Sequence, residues 1–191
     1  MGKLTAAEKK KVQKPLLWIG MASIVMTFAG LTSGYVVSRS ALIEDNRWLE
    51  FPLPPQFAYA TAAILLSSLL IWMAKQRVKE NMLKQASVYL LATLLLGISF
   101  LVLQYLGARD LTERGLFFTG GNSASSWVYV IAALHWAHVV SGIIVLFYTW
   151  LRARKGAYTA QEYQGLSVSA IYWHFLDGLW LYLYLFLLII R

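Results

Sequence analysis

Cysteine is absent from this 191-residue chain, which excludes disulfides, thiolate-held metals and a cysteine nucleophile and leaves the compartment open. Charge is sparse, at 14% of residues, where soluble domains carry about 25%. Acids are scarcer than bases, nine Asp and Glu against 17 Lys and Arg, and histidine occurs only three times. There is no internal repeat and no stretch long enough for a soluble domain. What fills the chain instead is apolar: 59% hydrophobic residues. No soluble fold of this length hides so much apolar surface, so the fold class is an all-α polytopic membrane protein, a single membrane domain over 1–191. The formal charge of +8 sits in short loops, so membrane orientation explains it better than nucleic-acid binding, which is not expected.

A hydrocarbon core of about 30 Å needs roughly 20 helical residues. Five stretches qualify, at 15–38, 56–74, 85–106, 126–151 and 166–190. Their separators read as loops: 39–55 carries charge with Pro52, Pro54 and Pro55, 75–84 and 152–165 are basic, and 107–125 contains Gly120-Gly121-Asn122-Ser123. The basic start (Lys3, Lys9, Lys10, Lys11, Lys14) resembles a signal peptide, but the apolar run from Leu16 to Val37 is too long for one and reads as a retained first helix. The N-tail and the loops 75–84 and 152–165 hold twelve Lys and Arg, against five on the other side (Arg39, Arg47, Arg109, Arg114, Arg191). That asymmetry predicts the N-terminus inside and the C-terminus outside.

Span one contains Gly30-Leu31-Thr32-Ser33-Gly34, which puts two glycines on one helix face where backbones approach closely, either within this chain or against another subunit. Trp18, Trp48, Trp127 and Trp150 fall near span ends, as interfacial anchors do. All three histidines and the only acid inside an apolar stretch lie in the last two spans: His135 and His138 in span four, His174 and Asp177 in span five. Asp at the centre of a membrane helix costs roughly 2.5–3.5 kcal/mol unless it finds a partner. Each pair is three residues apart and shares a helix face. At about 1.5 Å per residue, His135 and Asp177 both fall near the midplane, so depth permits a pairing that lowers the burial cost of both.

Three chemistries fit those residue types. Two histidines and a carboxylate form a facial iron site; two histidines from two helices ligate a haem; or the set is a hydrogen-bonded network that locks helices together. The tight HxxH spacing and the lack of a second membrane acid weigh against a metal. The indoles of Trp136 and Trp173 weigh against a haem pocket. The network is the dominant expectation, and each interhelical polar contact contributes about 0.6–2 kcal/mol.

These segments closely resemble subunit III of haem–copper terminal oxidases, in a short five-helix form. Tyr172-Trp173-His174-Phe175-Leu176-Asp177 with Trp180 matches that family's YWHFxDxxW segment, and His135-Trp136-Ala137-His138-Val139 with Gly142 matches its HxxHV…G segment. Phe28-Ala29-Gly30-Leu31 with Tyr35 and Arg39 is similar to the first common helix. Leu53-Pro54, Thr61 and Ser67-Ser68 fit the second, and Gly97, Phe100 and Gln104 the third. The resemblance departs at four places. Ser23 is followed by Ile24 where many members have glutamate, and Gly107 stands where a second glutamate follows the glutamine. Ala60 replaces an asparagine, and Ala132-Ala133 replaces a Thr-Gly. The two N-terminal helices of seven-helix members have no counterpart here, so the lipid-filled cleft they help to form is expected to be incomplete or completed by another chain.

What the resemblance implies is an accessory core subunit of the bacterial inner membrane, non-catalytic itself, within a proton-pumping oxidase that reduces oxygen to water. Haem and copper belong to partner subunits, and this chain carries no cofactor beyond bound phospholipid. Its direct partner is subunit I, with subunit II and the other oxidase subunits nearby. It is expected to support assembly, proton uptake and sustained turnover, with Ile24 casting doubt on proton handling at that position. The structural polar network is then His135, His138, His174, Asp177, Trp173 and Trp180, and the helix-packing glycines are Gly30, Gly34 and Gly142. Cytochrome c or quinol as donor, and membership of a larger supercomplex, stay open. The competing class is a stand-alone membrane metalloenzyme or transporter that uses the His135/His138/His174/Asp177 cluster; a transporter would more often show repeats or broken helices.

Overall fold

The computed structural model describes residues 6–44, 47–119 and 122–190, with side chains from Val12 onward. Gly120 and Gly121 of the expected loop, and Lys3 and Arg191 of the charge count, lie outside the described residues, as do the side chains of Lys9, Lys10 and Lys11. The described chain is helical throughout its regular structure: α1 Ala6–Ile43, α2 Pro55–Lys79, α3 Leu83–Glu113, α4 Ser123–Arg154 and α5 Gln164–Ile189. Each is long and apolar enough to cross a membrane.

Every helix starts before the apolar stretch that marks it in the sequence and all but α5 end beyond it, because helix formation continues past the hydrocarbon into the flanks. Helix α3 runs on through Arg109–Glu113 and Asp110–Arg114, two i,i+4 ion pairs that support its last turns. Three helices stop at a residue in the left-handed region: Asn81 (φ 58°) after α2, Gly115 (78°) after α3 and Gly156 (68°) after α4. At each stop the next two N–H groups fold back onto otherwise orphaned carbonyls, as in Leu116 to Leu111 and Gly115 to Thr112, both at 3.0 Å. At the start of α4, the Asn122 side chain accepts from the Ala124 N–H at 2.8 Å, a capping bond. Pro15 lies inside α1, and the helix passes through it.

Helices α2, α3, α4 and α5 close into a ring, each touching the next, with α5 returning to α2. Among the described residues α1 meets only α4 and α5. Its apolar window is 17% buried, against 39% for α2 and α5, which makes it a peripheral helix leaning on the outside of the ring. The ring is drawn tight by glycines that receive aromatic rings: Gly107 of α3 takes Phe57 of α2, while Gly97 of α3 and Gly142 of α4 both abut Trp173 of α5. Large apolar side chains such as Met26, Trp72, Tyr105 and Ile189 face outward, which hydrocarbon permits and water would not.

Candidate functional site

The core of the ring holds the polar residues singled out by the sequence, with hydroxyls of α2 as their main partners. The Trp173 indole N–H donates to Ser67 Oγ at 2.9 Å, and the Trp180 indole N–H donates to Thr61 Oγ1 at 2.9 Å. Those two hydroxyls spend their own protons on α2, Ser67 on the Ile64 carbonyl and Thr61 on the Phe57 carbonyl, each at 2.7 Å. They are thereby fixed as acceptors. Next to Ser67, the Ser68 hydroxyl and His174 Nδ1 lie 2.6 Å apart. Seven residues between the two tryptophans and six between the two acceptors match a pair of antiparallel helices, two turns each. Three bonds thus tie α5 to α2, at about 0.6 kcal/mol apiece on average and up to ~1.7. A fourth, between Ser141 Oγ and the Tyr172 hydroxyl at 2.8 Å, ties α4 to α5.

His135 and Asp177 are placed differently from what their depth suggests. Both are buried, and among the described residues neither is hydrogen-bonded to the other: His135 has no partner, and the Asp177 carboxyl has the Ser68 hydroxyl beside it. The His135–Asp177 pairing permitted by depth is therefore not formed. The reason lies in azimuth: Trp180 stands over His135, ring centroids 5.2 Å apart, with Phe100 and Phe28 edge-on at 5.9 and 6.2 Å. His135 sits in an aromatic cage, and the polar side chain beside Asp177 is Ser68 of α2. His138 is half-buried, packs edge-on against Phe28 at 5.8 Å and points its Nδ1 at the Leu134 carbonyl, 2.7 Å away. A carbonyl only accepts, so Nδ1 is the donor in this contact.

The four titratable groups accordingly do not converge, and among the described residues no three His, Asp or Glu side chains are grouped to hold a metal. Of the packing glycines, Gly142 abuts Leu176 and Trp173, and Gly34 abuts Trp127. Gly30 meets nothing within 4 Å among the described residues, so of the two packing roles expected of it the one within this chain is not filled by them. Sequence reading missed the partners themselves: Thr61 and Ser67 as acceptors, Ser68 as the partner of His174, and Phe28 and Phe100 as walls of the cage. A signal existed, since hydroxyls six and seven residues apart on an apolar helix mirror the Trp173/Trp180 spacing.

The family profile described as Cytochrome c oxidase subunit III matches residues 49–190, which takes in α2 to α5 and the whole cluster. The chain belongs to the cytochrome c oxidase subunit III family. A probable cytochrome c oxidase subunit 3 of Rickettsia felis is 34% identical over 131 residues, 68% of this chain and 46% of the relative. One of Rickettsia prowazekii is 34% identical over 132 residues, 68% and 46%. The cytochrome c oxidase subunit 3 of the carp Cyprinus carpio is 33% identical over 124 residues, 65% and 46%. The chain thus matches about half the length of these subunit III relatives. The profile begins six residues before α2 and so takes in the whole ring, with the peripheral α1 preceding the matched range.

Proposed function

We propose that this chain is the accessory core subunit III of a proton-pumping haem–copper oxidase, seated in a bacterial inner membrane. It packs beside subunit I, holds no redox centre and supports the assembly, proton uptake and turnover stability of the subunits that reduce oxygen to water. The observation that carries this is the family match across α2–α5, which takes in a cluster whose Trp173, Trp180 and His174 bonds join α5 to α2. Nothing in the arrangement favours the metalloenzyme or transporter reading. The excess of Lys and Arg in alternate loops supports an N-terminus inside and a C-terminus outside.

Phospholipid is the expected ligand, and one cleft supports it. Between the peripheral α1 and the α4/α5 pair lies a space of about 780 Å³ with apolar walls that include Leu16, Met21 and Ile144. Arg152 and Tyr158 stand at one end of it, the guanidinium 5.5 Å over the phenol ring. Burial pushes the Tyr158 phenol above the ordinary tyrosine value, with Arg152 opposing, so the residue stays neutral. An apolar trough with a cation at its end suits acyl chains below a phosphate.

The test is to isolate the native complex, identify its companion chains and record its haem spectrum. Co-purification with haem-bearing subunits is the expected result, and metal retained by the single purified chain is the result that overturns it. Asp177→Asn is expected to weaken assembly or durability of the complex and to leave the haem spectrum intact. Loss of haem from a stably assembled complex would instead assign Asp177 to ligation.

A further inference from the structure

Where α3 begins and α4 ends, the seam between them opens into a space of about 280 Å³, separate from the α1 cleft. Leu83, Lys84 and Ser87 line it from α3, and Ala153, Arg154 and Gly156 from α4. Lys84 and Arg154 are exposed, and among the described residues neither side chain forms an ion pair or a hydrogen bond. Arg77 at the end of α2, by contrast, is held by Glu80 at 2.8 Å. The two cations flank the apolar stretches 85–106 and 126–151, which sets them at the headgroup level of a bilayer. Each stands above an apolar face of its own helix. On α4 the Arg154 guanidinium lies 4.9 Å over the Trp150 ring, and Trp150 packs on Phe147 at 5.8 Å. On α3 the exposed Val88, Leu91 and Leu95 follow Lys84 at i+4, i+7 and i+11, one continuous stripe.

We propose that this space holds the phosphate of a net-negative phospholipid between Lys84 and Arg154, with its acyl chains laid along the two apolar faces beneath. This rests on the helices spanning a membrane and adds to the phospholipid reading a second place and a headgroup class. Two like charges lining one space repel each other, and an anion between them reverses the sign of that interaction. Basic pockets between membrane helices take acidic headgroups for this reason. A zwitterionic headgroup would bring its own ammonium against the two cations. A soluble anion would use the cations and leave both apolar faces without a role.

The experiment is native mass spectrometry of the full chain in detergent, titrated with phosphatidylglycerol or with phosphatidylethanolamine of the same acyl chains. An Arg152→Gln background removes the cation of the α1 cleft, so that the two sites are not confused. Phosphatidylglycerol is expected to bind about fivefold or more tightly than phosphatidylethanolamine, the worth of one charge at a membrane surface. Lys84→Gln and Arg154→Gln should each weaken it about fivefold, and the pair about 25-fold. Lys14→Gln with Lys75→Gln, which removes two charges from α1 and α2 instead, should leave it unchanged. Equal losses in the two pairs would mean diffuse surface charge and overturn the site, as would equal affinity for the two lipids. Inorganic phosphate displacing the lipid at equal concentration would overturn the role of the apolar faces. In the native complex, benzoylphenylalanine at Val88 that cross-links to a companion chain and to no lipid would give the seam to a protein instead. Absence of haem-bearing companions would bring down the subunit reading and leave this site standing.

Discussion

Trp173 is held by three helices at once, and that makes Gly97→Ala an informative substitution. A Cβ on Gly97 would come 2.8 Å from the Cη2 of the indole and 3.1 Å from Cζ2. The retreat of the ring is limited, because it lies close against Gly142 of α4 and its N–H is bonded to Ser67 at 2.9 Å. Overpacking of this kind costs about 1–3 kcal/mol, offset slightly by the better helix propensity of alanine. Trp173→Phe should also destabilise, through lost volume and one interhelical bond of about 0.6–1.7 kcal/mol. In the double variant the smaller ring no longer fills the space that the new methyl needs, so the two costs should fall short of additivity by about 1 kcal/mol or more. The assay is reversible unfolding of the chain in mixed micelles titrated with dodecyl sulfate, for all four corners of the cycle. Additive costs within about 0.5 kcal/mol, or a Gly97→Ala variant as stable as the parent, would refute the wedge.

Thr61→Val keeps the shape but strands the Trp180 N–H in the core; it should destabilise by about 1–3 kcal/mol, and the same titration reads it, with no loss counting against the bond. Gly34→Leu should drive α1 off Trp127, whereas Gly30→Leu, facing open space, should leave the chain's own fold unchanged. Thiol labelling of a cysteine placed at Met21, which is 4% exposed, distinguishes the two: faster labelling for Gly34→Leu only is expected, and equal rates would contradict the assignment.

The spans were legible because hydrocarbon thickness is a one-dimensional constraint, written in the length of apolar runs. Their ends were less so: the ion pairs of Arg109 with Glu113 and of Asp110 with Arg114 carry α3 past Leu106, where apolar content alone would stop it. Depth was countable along each helix, and the count sets His135 and Asp177 at one level. Rotation about the helix axis was not, since it depends on which large ring occupies the space between helices, and Trp180 occupies it here. The acceptors of the two indoles were hidden for a different reason. Serine and threonine in an apolar helix usually bond their own carbonyls, as Ser67 and Thr61 do, and only the three-dimensional pairing shows that their second lone pair is used.

The bonds that join α5 to α2 link residues 106 and 119 positions apart. During synthesis the ring therefore stays open until the final helix has left the ribosome and entered the bilayer. Until that moment the hydroxyls at 61, 67 and 68 face a gap, and a nascent chain stalled before residue 164 presents an unfinished seam to the proteases that survey the membrane. Closure of the ring of α2 to α5 therefore waits on α5.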